Sequence, residues 1–90
     1  MPEVHRLGDP DSAGAPITEV IQKTVFVNNL LASVDGSPVQ GHGPGRHSSP
    51  LTANGSTTVF IENIPVNKRG DADTCGHERT DGSPDVFIEG

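Results

Sequence analysis

The stretch of sequence that decides the fold spans residues 55–71 and reads Gly-Ser-Thr-Thr-Val-Phe-Ile-Glu-Asn-Ile-Pro-Val-Asn-Lys-Arg-Gly-Asp. Its central tripeptide, Val59-Phe60-Ile61, has two close copies, Val25-Phe26-Val27 and Val86-Phe87-Ile88. The three tripeptides contain all three phenylalanines of a chain that has no Trp and no Tyr. An aromatic residue between two β-branched residues favours an extended strand. The recurrence predicts one structural unit used three times.

The flanks of the tripeptides recur as well. Gly55-Ser56 and Gly82-Ser83 precede the second and third copies, and Gly8-Asp9 matches Gly70-Asp71, with a decayed version at Asp35-Gly36. The Gly-Asp motif is the second recurring motif. It lies between the tripeptides and supports the same three-unit division.

The spacing of the copies predicts how the units close. Phe26 and Phe60 are 34 residues apart, whereas Phe60 and Phe87 are 27 apart, and the extra length falls in the Gly/Pro-rich loop 41–50. The chain starts partway through one unit and stops partway through another. We therefore expect the last strand to complete the first unit and to close a ring with pseudo-threefold symmetry.

Composition bounds the architecture. Ninety residues, 31% of them hydrophobic, predict a single domain over residues 1–90 with a small core and no extension. The 11 Gly and 8 Pro favour turns over helix, and no stretch shows sustained helical periodicity, so the expected fold class is all-β. Such composition also occurs in disordered linkers, an alternative that the ordered repeats oppose. The single cysteine, Cys75, excludes an internal disulfide, which leaves a metal or a partner as the staple.

The strand pattern gives a coarse map of the elements. Ile17–Gln22 has a mixed pattern, compatible with a strand or one helical turn. The expected turns are Asp9–Gly14 and Asp71–Thr74, with a loop over Ser37–Asn54. The expected strands are Val4–Leu7, Lys23–Val27, Leu30–Val34, a short piece at Pro50–Thr52, Thr57–Glu62, Pro65–Lys68 and Asp85–Glu89.

Charge and hydropathy exclude several function classes. The net charge of −6, with only six scattered Lys and Arg, argues against nucleic-acid binding. No apolar run is long enough to span a membrane, and the N-terminus has neither the basic start nor the apolar stretch of a signal peptide.

Four residues are candidate metal ligands, in two close pairs. His42 and His47 lie in the long glycine loop, and Cys75 and His77 flank Gly76. Three imidazoles and one thiolate would fill a tetrahedral zinc shell, and this mixture favours zinc over iron. The alternative is that these are idle, solvated loop histidines. His5 is expected to be a strand residue outside the site.

The sequence offers only weak candidates for a catalytic site. The two Asp-x-Asp pairs, at 9/11 and 71/73, suggest calcium binding or acid catalysis, but turn chemistry explains them better because no further oxygen ligands follow. Ser48 and Ser49 beside His47 lack an orienting acid. The glycine loop lacks the Lys-Ser/Thr of a phosphate-binding loop.

The repeated words resemble a known family. Gly-Ser-x-x-Val-Phe-Ile-x-Asn-x-Pro-x-x-(Lys/Arg)-x-Gly-Asp is similar to the unit of PAAR-repeat proteins, which cap the trimeric spikes of type VI secretion systems and contractile phage tails. The name-giving tetrapeptide Pro-Ala-Ala-Arg corresponds here to Pro65–Lys68, Leu31–Val34 and Glu3–Arg6, none of which is a perfect copy. The resemblance implies a small β-cone whose base docks on a trimeric β-helical spike.

The resemblance also implies a zinc near the apex, held by His42, His47, Cys75 and His77. The expected function is therefore a non-enzymatic, membrane-piercing spike tip with structural zinc, one copy per spike trimer, made in the bacterial cytoplasm and carried out on the spike. Alternatives from other classes are a zinc-binding adaptor that recruits effector cargo, and a zinc hydrolase, which requires an open coordination position and a general base.

Overall fold

The computed structural model describes residues 2–88, apart from the side chain of Arg46. Four two-residue strands form two antiparallel hairpins: β1 (Phe26–Val27) with β2 (Leu30–Leu31), and β3 (Phe60–Ile61) with β4 (Ile64–Pro65). A short 3₁₀ helix spans Gly45–His47. The rest of the described chain is turns and isolated β-bridges, so the expected all-β class is confirmed.

The two hairpins use the same turn. Asn28 and Asn29 have φ of 54° and 66°, and Glu62 and Asn63 have φ of 53° and 66°. Two consecutive left-handed residues match the twist of the flanking strands, and Asn tolerates this conformation better than most residues. Phe26 therefore pairs with Leu31 as Phe60 pairs with Pro65.

A third hairpin is assembled from the two ends of the chain. Phe87 pairs with Glu3, and the Ile88 amide donates to the Pro2 carbonyl at 3.0 Å. The predicted ring closure is therefore present. The last residue of the predicted strand Asp85–Glu89 lies outside the described residues.

The three units meet in a closed triangle of backbone hydrogen bonds. The His5 amide donates to Asn67 O (3.0 Å), the Asn67 amide to Ser33 O (2.9 Å), and the Ser33 amide to His5 O (2.9 Å). All three residues are fully buried. Each is the third residue of the segment aligned above with the name-giving tetrapeptide, so these segments line a pseudo-threefold axis.

The core lies around this axis, and the phenylalanines are outside it. Val4, Ala32 and Val66, one residue before the triangle, are buried in equivalent positions. Phe26, Phe60 and Phe87 are 59%, 51% and 45% exposed. The remaining buried hydrophobic cluster consists of Ala15, Ile17, Val20, Val27, Val34 and Val39.

A buried polar side chain starts each strand. Ser56 Oγ accepts from the amides of Thr58 and Val59 (3.0 and 2.9 Å), and Ser83 Oγ does the same for Asp85 and Val86 (3.2 and 2.9 Å). In the first unit Gln22 Oε1 takes this role, accepting from Thr24 and Val25 at 2.9 Å each. Because Gln22 replaces the serine, the unit of Phe26 does not need the Gly-Ser motif.

The predicted strands are longer than the observed ones. Lys23–Val27, Leu30–Val34, Thr57–Glu62 and Pro65–Lys68 each retain two residues or fewer of hairpin strand, and Val4–Leu7 has only bridges. The reason is that each segment changes partner: Leu31 pairs with Phe26, but the adjacent Ala32 pairs with Arg6 of another unit. Ile17–Gln22 is neither strand nor helix and bridges only at Ile17. The piece at Pro50–Thr52 is confirmed by bridges at Leu51 and Thr52.

The molecule is elongated, with principal extents of 33 × 23 × 23 Å. Within the described part of the chain, no helix is long and apolar enough to cross a membrane.

Candidate metal centre

Cys75 and His77 lie on a tight turn between two bridged segments. The Asp73 amide donates to His77 O (2.7 Å), the Gly76 amide donates to Asp73 O (2.9 Å), and Gly76 has a φ of +94° that glycine adopts without strain. Cys75 is buried and His77 half-buried. The side chains of Cys75 and His77 converge because of this turn.

The second pair lies on the long loop between Gln40 and Ser49. The His42 amide donates to His47 O at 2.9 Å, and the 3₁₀ helix Gly45–His47 returns the chain toward its start. A Cβ at Gly41 would lie 2.5 Å from Ser48 O, so only glycine fits this close approach. The glycine richness of the loop therefore serves to bring His42 beside His47.

The fold brings all four predicted ligands together. One ligand atom from each of His42, His47, Cys75 and His77 lies within 4.8 Å of the others. His42 Nε2 is 3.2 Å from His47 Nδ1 and 3.6 Å from Cys75 Sγ. The three imidazole centroids are 4.9 to 5.2 Å apart.

These spacings fit a tetrahedral ion. Zn–N bonds of 2.0–2.1 Å and a Zn–S bond of 2.3 Å require about 3.3 Å between two nitrogens and about 3.6 Å between nitrogen and sulfur. Both requirements match the observed pairs. Three imidazoles and a thiol are also the ligands that zinc takes in closed structural sites.

The second ring nitrogen of His42 fixes its role. His42 Nδ1 is 3.1 Å from the Gln40 carbonyl, which only accepts, so Nδ1 carries the proton and Nε2 presents its lone pair. His47 faces this nitrogen with Nδ1. His42 and His47 therefore turn different ring nitrogens toward each other, Nε2 and Nδ1, a detail that sequence spacing does not reveal.

Most of the aspartates form turns, as predicted. Asp9 and Asp71 accept from the amides of Arg6 and Lys68, at 2.9 Å each, and Asp11 Oδ1 accepts from the amides of Ala13 and Ala15. In the other weak candidate, Ser48 Oγ donates to Gly45 O at 2.8 Å, which uses its hydroxyl in a loop contact.

A buried cluster around Arg79 was missed by the sequence analysis. Arg79 Nη2 lies 2.5 Å from Asp73 Oδ2 and 3.0 Å from Asp11 Oδ2, and all three side chains are inaccessible. Burial, together with the hydrogen bond and charge of Asp11, raises the pKa of Asp73 to about 7 against the opposing effect of Arg79. Burial acts the same way on Asp11, but the amide of Ala15 and further hydrogen bonds outweigh it and lower its pKa.

Carboxylate oxygens of Asp11 and Asp73 also lie within 4.8 Å of Cys75. Because the Arg79 guanidinium already contacts both carboxylates, we assign this group to the charge cluster and not to a second metal centre. The only sequence signal for this charge cluster was the similarity of the two Asp-x-Asp motifs, at 9/11 and 71/73.

His5 lies outside the metal cluster. Nη1 of Arg79 donates to His5 Nε2 (3.0 Å), so the proton is on Nδ1, which donates to Asp81 O at 2.7 Å. Burial lowers the pKa of His5 to about 4. The residue is thus a neutral part of the interior.

Comparison with known proteins gives two matches. The sequence profile of the PAAR motif family matches residues 7–78. A double-stranded DNA deaminase toxin A from Burkholderia cenocepacia (strain H111) is 39% identical over 69 residues, which are 73% of this chain and 5% of that protein. The chain therefore spans about a twentieth of the length of this relative.

Proposed function

This chain belongs to the PAAR motif family, and on that premise we propose that it is the non-enzymatic tip of the spike of a contractile injection machine, in a type VI secretion apparatus or a phage tail. Its role is then mechanical: it caps a trimeric β-helical spike and meets the target membrane transiently. The observation that carries this proposal is the exposure of a phenylalanine at the same position of three equivalent hairpins.

Phe26, Phe60 and Phe87 define what we call the docking face. They occupy the same position in three equivalent hairpins, and all are about half exposed. Val25, Leu30 and Val86, in or next to these hairpins, are exposed as well, and clustered apolar surface of this kind marks an interaction site more often than a single exposed residue does. A threefold-symmetric partner would meet the same contact three times, which supports one chain per spike trimer.

In the units of Phe26 and Phe60 the chain runs from the docking face through the backbone triangle to the loop or turn that carries the candidate ligands. Pro65 pairs with Phe60 in the hairpin, and residues 66–73 then run through bridges to the neighbouring units before reaching Cys75. This polarity suits a tip that is attached at one end and pointed at the other.

At the pointed end, His42, His47, Cys75 and His77 are proposed to hold a structural zinc ion. When bound, the ion supplies a cross-link between the long loop and the Cys75 turn, in a region with little apolar core. Four protein ligands would leave no open position for substrate or water, which favours a structural role over a hydrolase.

Metal analysis tests this part of the proposal. The purified protein should contain one equivalent of zinc, and Cys75→Ser should lower metal content and melting temperature together. Thr80→Ala, which removes an exposed hydroxyl that bonds to the Pro10 carbonyl and to none of the four ligands, is the matched control and should keep its metal content. A wild-type protein without transition metal, or a water bound to the ion as a fourth ligand, would contradict the structural site.

Docking is tested with a trimeric β-helical spike protein from the same bacterium or phage. One chain should bind per trimer, and Phe60→Asp should abolish binding while keeping the metal content. Leu51→Asp is the control, because Leu51 is also exposed (40%) but contacts Thr74 beside Cys75, at the other end. Equal loss of binding by both variants would reject the docking face.

The second candidate is an adaptor or carrier module for an effector. It is favoured by the relative, a deaminase toxin of which the matched part is only 5%. These 90 residues lack the His-x-Glu and Pro-Cys-x-x-Cys words of zinc deaminases, having a single cysteine, so deamination is not assigned to them. A protein that binds a toxin domain but no spike trimer would support the adaptor.

A further inference from the structure

Two turns at the metal end share one sequence plan. Asp11-Ser12-Ala13-Gly14-Ala15 corresponds to Asp73-Thr74-Cys75-Gly76-His77. In each, the first amide donates to the fifth carbonyl (3.0 and 2.7 Å), and the glycine has positive φ (79° and 94°). Ala13 and Ala15 thus stand where the other turn has its two ligands.

The ligand-free turn nevertheless reaches the metal centre. Ser12 Oγ lies 2.8 Å from His77 Nδ1. The backbone holds Ser12 in place independently, because its amide donates to Glu78 O at 2.8 Å. The hydroxyl therefore meets His77 from a fixed support that does not depend on the ion.

We propose that Ser12 is a positioning residue for the metal centre: its hydroxyl accepts a hydrogen bond from His77 Nδ1 and thereby directs Nε2 of that ring at the ion. The inference rests on the metal centre proposed above. An imidazole bound to a metal through one nitrogen carries its proton on the other, and an acceptor for that proton fixes the ring. Gln40 O does the same for His42.

The equivalent hydroxyl of the other turn offers a contrast. Thr74 Oγ1 accepts from the Leu51 amide at 3.1 Å, so it ties the turn to the neighbouring segment and orients no ligand. The contact of Ser12 with a histidine ring is therefore specific to this turn and not a general property of the shared backbone.

Zinc affinity, measured by competition with a chromogenic chelator, tests the assignment. Ser12→Ala should weaken zinc binding about tenfold at unchanged stoichiometry, whereas Ser12→Thr should restore the wild-type value. Thr80→Ala is the control, since it removes another exposed hydroxyl that bonds across units, to Pro10 O at 3.2 Å. Ser12→Ala with wild-type affinity would overturn the proposal, and so would an equal loss in Thr80→Ala.

A second measurement separates positioning from general stability. In the zinc-bound protein, ¹⁵N NMR should find His77 protonated at Nδ1 and metallated at Nε2, and the Co²⁺ absorption spectrum of Ser12→Ala should differ from that of the wild type. Metallation of His77 through Nδ1 would overturn the Ser12 assignment alone. A wild-type protein that binds no zinc would overturn the metal centre as well.

Discussion

Arg79 and Asp73 form a fully buried ion pair, with 2.5 Å between Nη2 and Oδ2, six residues apart on either side of the Cys75 turn. The same guanidinium contacts Asp11, and its Nη1 contacts His5. One side chain thus joins residues of two units beside the Cys75 turn.

Replacing Arg79 should therefore destabilise the folded protein strongly. We expect Arg79→Met to lower the free energy of unfolding by about 3–5 kcal/mol, because two buried carboxylates lose their counter-charge. Arg69→Met is the matched control: its ion pair with Glu3 is 58% exposed on the Arg side and should be worth at most about 1 kcal/mol. Denaturant titration of both variants measures the difference, and similar values for the two would contradict the buried cluster.

His5 should make stability depend on pH. Its pKa is lowered from 6.5 to about 4, so between these values the unfolded chain binds a proton that the folded protein does not. Stability contributed by neutral His5 is present above pH 6.5 and is lost as the pH falls, by roughly 2 kcal/mol at pH 5.

The test compares wild type with His5→Asn, which copies the equivalent Asn67. The two proteins share every ionisable side chain except His5, so the difference between them isolates residue 5. The wild type should lose roughly 2 kcal/mol more than His5→Asn between pH 7 and pH 5 in denaturant titrations. An identical loss in the two proteins would show that His5 is not buried and neutral.

The split hairpin predicts that the chain can be circularly permuted. Joining Gly90 to Met1 leaves three residues between Ile88 and Pro2, a common hairpin length, and new ends can be opened between Asn28 and Asn29. This permutant should fold and unfold cooperatively by circular dichroism. A permutant opened between Asn67 and Lys68, inside the backbone triangle, should not. If both behave alike, the units are not equivalent.

Gly82 should not tolerate a side chain. A Cβ there would lie 2.7 Å from the Glu3 Cβ and 2.8 Å from the Val4 carbonyl. We expect Gly82→Ala to lower the melting temperature, at a cost of about 1–3 kcal/mol from overpacking. Gly55→Ala, at the equivalent position, should behave the same way, whereas exposed Thr57→Ala should be neutral.

Repetition made much of this fold predictable from sequence. The tripeptides and the Gly-Asp motifs predicted the three units and the closure of the ring by the two chain ends. The metal-binding chemistry of His and Cys selected the four residues that the fold brings together. Strand lengths were overestimated because propensity reports an extended backbone but not the change of partner between Leu31 and Ala32. Arg79 could not be found, because its burial results from contacts between units distant in sequence. The outward position of Phe26 was equally hidden, since alternation does not tell which face is the interior.

The pairing of Pro2 with Ile88 also governs when the protein can finish folding. The Val4 amide donates to the Val86 carbonyl, so the first unit stays incomplete until residues 86–88 have been synthesised. Pairing across such a separation closes slowly. Until residues 86–88 are made, the nascent chain keeps a strand edge uncovered, which makes this interval the time when the unit is most vulnerable to aggregation.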